Sequence, residues 1–248
     1  MIKHLSYSSI SKYLKCHRQW RYKYIDKWEE PKGDALLFGS AWHEMIQKDL
    51  NYESAYDLDH AWDEAIHNAF DVDIGMMKEN HIPLYELGAK MVKVDEIKNT
   101  IKSLRPIPKS IEKQIELHIP GVEVPAIGYI DMIEDETMIP VDFKTASRKW
   151  PANRADTELQ ATFYIAALEQ AGMITLPHTF RYIIFTKTSK PTVQIFDTVR
   201  TAADIFELHE MIGDVWHGIK SGAFGKCDPG NWWCSQKWCS YYDRCKNG

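Results

Sequence analysis

The spacing of apolar and polar positions changes period once along this chain. Up to about residue 109 it is helical. Ser6 and Ser8 are both placed to cap a first helix running toward Cys16. Phe38, Trp42, Met45 and Ile46 recur on one face of a segment from Leu37 to Leu50. Helical spacing continues over Ala55–Phe70 and, after Pro83, over Tyr85–Leu104, until Pro106 and Pro108 end it. From Ser110 the period drops to two. I-E-K-Q-I-E-L-H-I, V-P-A-I-G-Y-I-D-M-I and M-I-P-V-D-F-K-T read as three strands, joined by turns at Pro120–Gly121 and Asp135–Glu136. A helix over Asp156–Ala171 stops at Gly172. Strands H-T-F-R-Y-I-I-F-T and T-V-Q-I-F-D-T-V flank a turn at Lys187–Pro191, and a helix over Ala202–Lys220 precedes a Trp- and Cys-rich tail. This order predicts one α/β domain with a mixed sheet. Its helical N-terminal part covers residues 1–109, its core 110–222 and its tail 223–248.

At 248 residues and 44% hydrophobic composition the chain can bury a sizeable core. No apolar run approaches the ~18 residues of a membrane span, and the first residues lack a secretory pattern. A cytosolic protein without a membrane partner is expected. The net charge of −5 hides an asymmetry: residues 1–28 carry seven Lys/Arg against Asp26 alone, and 226–248 carry four against two acids. Basic ends beside an acidic centre fit an anion-binding surface next to a metal-binding one, and equally fit ordinary solvated faces.

The acidic centre is sharpest in G-Y-I-D-M-I-E-D-E-T-M-I-P-V-D-F-K-T, residues 128–145. Asp142 and Lys144 stand two apart on a strand and share a face. With a two-residue turn at Asp135–Glu136, residue 129 pairs with 142, and Asp131 sits diagonally from Asp142 on that face, roughly 7–8 Å away. Two such carboxylates can reach one Mg²⁺ or Mn²⁺, with the lysine serving a water or a phosphate. A one-residue slip would send Asp131 to the opposite face. The alternative is an ordinary ion pair, but the neighbours Ile130, Met132, Val141 and Phe143 make unpaired carboxylates costly.

At these residues the chain resembles the PD-(D/E)XK nuclease superfamily, in particular its RecB-like exonuclease branch. Gly128 and Asp131 match the branch's G-x-x-D, Asp142-Phe143-Lys144 its D-x-K, and Gln160 with Tyr164 its Q-x-x-x-Y. His43 after Gly39 looks like its upstream helical histidine. Ser6, Ser8, Tyr13 and Cys16 look like its N-terminal S-x-S-x-x-x-Y-x-x-C segment. The resemblance implies a restriction-endonuclease-like fold: a mixed central sheet flanked by helices. It also implies a cation on His43, Asp131, Asp142 and the backbone carbonyl of Phe143, with Lys144 as the catalytic lysine. Gln160 and Tyr164 would support the site or hold DNA. A rival explanation exists for Gln160, because Thr157–Gln160 (T-E-L-Q) also matches a helix-start capping box.

Five cysteines are present: Cys16, Cys227, Cys234, Cys239 and Cys245. An odd count in a cytosolic chain fits disulfides poorly. The last three, spaced C-x4-C-x5-C, read as thiolate ligands of one metal centre, with Cys16 or Cys227 as the fourth. These spacings match zinc C-x2-C pairs badly. RecB-like nucleases with an iron–sulfur cluster, among them phage exonucleases and CRISPR-associated nucleases, use one cysteine before the core and three after it. By that resemblance Cys16, Cys234, Cys239 and Cys245 hold a 4Fe–4S cluster, with Zn²⁺ as the alternative, and Cys227 is left unexplained.

The expectation is therefore a Mg²⁺- or Mn²⁺-dependent DNA exonuclease of recombination, repair or phage DNA processing, in the host cytoplasm if phage-encoded. Its Lys12–Lys27 segment, with Arg18, Arg21 and Lys23 among aromatic residues, would contact single-stranded DNA ends. The competing class is a non-catalytic DNA-end-binding or adaptor subunit of a recombination, helicase or CRISPR complex.

Overall fold

The computed structural model describes residues 2–51, 57–70 and 82–247. The chain divides into two compact units. The first holds the segments up to Lys32, Glu116–Gly128 and from Ala202 onward; the second holds Gly33–Ile115 and Tyr129–Thr201.

In the first unit a short strand β1 (Leu5–Ser6) leads into α1 (Tyr7–Lys15). Ser6 caps α1, its hydroxyl accepting the Ser9 N–H at 3.1 Å, as the sequence suggests. A second helix, α2 (His17–Tyr24), follows after one extended residue, Cys16. The apolar pattern does not distinguish it, because Arg18, Arg21 and Lys23 interrupt the apolar face. Trp20 is nonetheless fully buried, stacked on Phe224 at 5.7 Å. Tyr13 reaches the carbonyl of Ala223 at 2.9 Å. It passes over Gly218 of α9 (Ala202–Lys220), where any side chain would collide with its hydroxyl.

The second unit stacks helices on a mixed sheet. Helix α3 (Asp34–Asn51) begins three residues before the expected start, and α4 (Leu58–Phe70) packs on it. Residues 55 and 56 of the expected second segment lie outside the described residues. The long helix expected to Leu104 is two, α5 (Ile82–Met91) and α6 (Asp95–Ser103). The ladder tightens at the break, Lys93 N–H bonding Lys90 and Val94 N–H bonding Met91. Asp95 and Glu96 then favour a fresh N-terminus through the helix dipole.

Strands β2 (Lys113–Leu117), β3 (Ala126–Ile130), β4 (Met132–Ile133) and β5 (Pro140–Ala146) replace the expected three, because the middle one breaks at Asp131. Helices α7 (Arg154–Thr157) and α8 (Leu159–Gln170) replace the single helix expected there. Strands β6 (His178–Thr186) and β7 (Val193–Arg200) and helix α9 lie within a residue of expectation, and α10 (Tyr242–Asn247) ends the chain. The strands form two sheets, ordered β1-β3-β2 and β4-β5-β6-β7. In the second, β5 pairs antiparallel with β4, parallel with β6, and β6 pairs antiparallel with β7.

One face of that sheet supports the main core. Phe38, Trp42 and Trp62 from α3 and α4 meet Phe143 and Phe185 from β5 and β6, all essentially inaccessible. Each such side chain contributes roughly 1.5–3 kcal/mol on burial. The same face explains why Phe143 and Phe185 alternate with the polar residues of the site. Among the described residues no helix is long and apolar enough to cross a membrane.

Candidate active site

Strand β5 carries Asp142 and Lys144. Met132 pairs with Val141 and Ile133 with Pro140, so the hairpin turn is longer than the two residues expected. Glu134 N–H bonds the Ile139 carbonyl, and Glu136 and Met138 adopt left-handed backbone angles to close the turn. This register is displaced by two residues from the expected one. An even displacement preserves the face of every side chain. Continued one step, it sets Asp131 opposite Asp142 rather than diagonal to it.

Asp131 is held from two sides. Its Oδ2 accepts the backbone N–H of Phe143 at 2.6 Å, and its Oδ1 lies 3.2 Å from Nδ1 of His43, which projects from α3. Burial disfavours the imidazolium, but the charges of Asp131 and then Asp142 outweigh it and raise the His43 pKa to about 9. Gly39, one turn earlier on α3, leaves room on this side. A Cβ there would still be 3.8 Å from the Thr145 hydroxyl of β5.

Asp142 is 2% exposed. Lys144 Nζ lies 2.6 Å from its Oδ2 and donates to Oδ1 at 2.8 Å. Gln160 Nε2 also donates to Oδ1, at 2.7 Å, and lies 3.1 Å from the Tyr164 hydroxyl. Burial pushes the Asp142 carboxyl up to about 6 against the pull of Lys144, and Asp131 adds to the rise. Burial and then the charge on Asp142 raise the Tyr164 phenol. The capping-box reading of Thr157–Gln160 fails. Glu158 is the N-cap of α8, without a side-chain cap bond, and Gln160 is spent on Asp142.

A group able to hold a cation forms among His43, Asp131 and Glu112, with one ligand atom from each all within 4.8 Å of one another. Glu112 is absent from the sequence reading. It precedes β2 in a left-handed conformation, its N–H bonded to the Asp131 carbonyl at 3.1 Å. Burial and the charge of Asp131 raise its carboxyl pKa, against Gln47 and His43. Nothing in the alternating stretch 111–119 separates Glu112 from Glu116, so no local signal marks it. Asp142 stands beside the group, engaged with Lys144 and Gln160. Two or three carboxylates and an imidazole suit a hard divalent ion.

In the first unit, all five cysteines line one cavity of about 140 Å³, together with Tyr22, Trp233 and Tyr241. Gln19 donates to the Cys239 sulfur at 3.3 Å. Cys227, without a role in the sequence reading, belongs to this cavity. Burial and its contacts with Cys16 and Cys234 push its thiol pKa up to about 12. Of the three cations expected on DNA, Arg21 pairs with Asp26 at 3.3 Å and Lys23 with Glu30 at 2.7 Å. Arg18 adjoins the buried Tyr22.

A search of curated proteins returned no match. Among solved structures, the "Putative exonuclease" from Eubacterium rectale aligns over 91% of this chain and 85% of its own, with a TM-score of 0.60 and 16% identity. That likeness is one of fold. The structure of SSO0001 aligns over 94% of this chain and 92% of its own at a TM-score of 0.36 and 12% identity, too low to carry an argument. The mixed α/β architecture is thus of the restriction-endonuclease-like kind. A family model spanning residues 4–246 matches as well. With that match, and with Asp131, Asp142 and Lys144 meeting on one hairpin, the chain belongs to the PD-(D/E)XK nuclease superfamily.

Proposed function

We propose that this protein is a Mg²⁺- or Mn²⁺-dependent DNA exonuclease of the RecB-like type, acting at DNA ends in recombination, repair or phage DNA processing. The observation that carries the reading is the convergence of His43, Glu112 and Asp131 beside the Asp142–Lys144 pair. The donor set fits a hard cation, with His43, Asp131, Asp142 and the Phe143 carbonyl as its ligands and Glu112 as a further one. When bound, such an ion supplies Lewis acidity toward a phosphate oxygen and an acidified water. The chain's own residues do the rest. Lys144 offsets charge developing on the scissile phosphate and exchanges a proton at Nζ. Gln160 positions Asp142 by its 2.7 Å bond, and Tyr164 steadies Gln160 in turn. Burial of Asp142 keeps bulk water from competing for these bonds.

The cysteines form a second centre in this reading, a 4Fe–4S cluster on Cys16, Cys234, Cys239 and Cys245. Support comes from the single cavity they share and its aromatic lining. Tetrahedral zinc on the same four thiolates is the alternative occupant. The cluster fastens Cys16 to the tail, and a link across so long a loop would contribute about 4–5 kcal/mol if it acts as a disulfide does.

The test uses purified protein and end-labelled DNA, with Mn²⁺ or with EDTA. Mn²⁺-dependent release of nucleotides from ends, abolished in Asp142→Ala and Lys144→Ala, is the expected result. Binding without any release would favour the adaptor reading. Anaerobic iron and sulfide analysis tests the second centre, and colourless protein with stoichiometric zinc would refute the cluster.

A further inference from the structure

We propose that the first unit carries a phosphate-binding groove for a single DNA strand, formed by Lys3, His4 and Lys27 and floored by Tyr24 and Ile25. This inference rests on the nuclease reading for the identity of its ligand; Tyr24, Ile25 and Lys27 fall within the segment expected to meet DNA, whereas Lys3 and His4 lie outside it.

The basic surplus of residues 1–28 is largely consumed internally. Lys12 and Lys23 both bind Glu30, at 2.9 and 2.7 Å, and Arg21 binds Asp26. Lys15 lies over the rings of Trp232 and Trp233. Lys3, His4 and Lys27 remain exposed, and none of them has an acidic partner among the described residues. All three line a cavity of about 460 Å³ to which no acidic residue contributes. Two lysines lining one cavity without a counter-charge repel one another, a cost that an arriving anion removes, and the His4 imidazole adds a hydrogen-bonding group beside them.

The rest of the lining indicates what kind of anion. Tyr24 and Ile25 present apolar surface in the same cavity, and Ile25 is 48% exposed. An inorganic ion gains nothing from that surface, whereas a nucleotide base can lie against it while its phosphates meet the lysines. The volume falls within the range of small-ligand clefts, about 300–1,000 Å³.

The experiment measures binding of a labelled single-stranded oligonucleotide to the full chain in EDTA, which prevents cleavage, over a series of salt concentrations. Lys3→Ala with Lys27→Ala should raise Kd about tenfold at low salt. It should also reduce the slope of log K against log salt by about 1.4, or about 0.7 for each phosphate no longer neutralised. Lys3→Arg with Lys27→Arg should restore both. Arg21→Ala with Lys23→Ala should leave the slope unchanged. Wild-type Kd and slope in the Lys3/Lys27 alanine variant, with an intact melting transition, would overturn the proposal. So would displacement of the oligonucleotide by inorganic phosphate as readily as by the unlabelled strand, which would leave only a simple anion site. Cleavage in Mn²⁺ is scored separately. Wild-type protein that binds the strand through Lys3 and Lys27 but never cleaves it would remove the nuclease reading and keep the groove. Cleavage with unaltered binding in the variant would do the reverse.

Discussion

Oδ2 of Asp131 accepts the backbone N–H of Phe143 at 2.6 Å, fastening the first acid of the site to the strand that carries the second. The other oxygen faces His43. In the proposed reading Asp131 therefore does two jobs, one for the fold and one for the cation, and two substitutions separate them. Asp131→Asn keeps an acceptor for Phe143 but removes the charge. It should fold normally and bind Mn²⁺ at least about 100-fold more weakly by calorimetry, since even indirect supports of a metal site are worth 10–100-fold. Asp131→Ala should also lose about 1–3 kcal/mol of stability, because the Phe143 N–H is left buried and unpaired. Equal Mn²⁺ affinity in Asp131→Asn and wild type would exclude Asp131 as a ligand.

In the proposed mechanism Gln160 acts on the site through Asp142. Gln160→Ala should lower kcat by about 10–100-fold with little change in KM or melting temperature. Gln160→Glu, which sets a second carboxylate against Asp142, should be at least as damaging. Unchanged kcat in both would show that the 2.7 Å bond has no part in positioning Asp142.

Glu30 provides a pH signature in the first unit. Burial works against its carboxylate, but Lys23 and Lys12 outweigh burial and hold the pKa below the ordinary 4.5. A depressed acid contributes stability that is present above its unfolded pKa and disappears as pH falls through the folded one. Melting temperatures of wild type and Glu30→Gln should therefore differ most above pH 4.5, by the equivalent of about 1 kcal/mol for partly exposed pairs. They should converge in stronger acid. A gap that widens on acidification would contradict the assignment.

Gly88 of α5 lies directly against the indole of Trp62, and a Cβ there would come within 2.0 Å of a ring carbon. Trp62 is 1% exposed, and its indole N–H donates to the Tyr85 carbonyl at 3.1 Å, so it cannot swing aside cheaply. Gly88→Ala should cost about 1–3 kcal/mol through overpacking, despite the better helix propensity of alanine. Chemical denaturation measures this, and a stabilised variant would mean that α5 is free to shift.

Short-range rules account for much of this protein. The Ser6 cap, strands β6 and β7, helix α9 and the stop at Gly172, whose φ is 68°, follow from capping chemistry and period because each is decided within a few residues. The shared face of Asp142 and Lys144 is equally local, since a strand alternates whatever it packs against. Even the longer turn leaves the site intact, because the register differs by two residues and the period of a strand is two. Tertiary structure alone decided the rest. Glu112 joins His43 and Asp131 only because β2, α3 and the β3–β4 break converge, and an isolated strand gives no reason to prefer it to Glu116. Gln160 could cap a helix or bind Asp142, and the tertiary packing brings it to the buried carboxylate, which it shares with Lys144. Cys227 and Cys16 meet in one cavity across two hundred residues of chain, and which cations stay unpaired depends on where Glu30 and Asp26 fall. Such contacts are selected by desolvation and packing between distant segments, and no local periodicity encodes them.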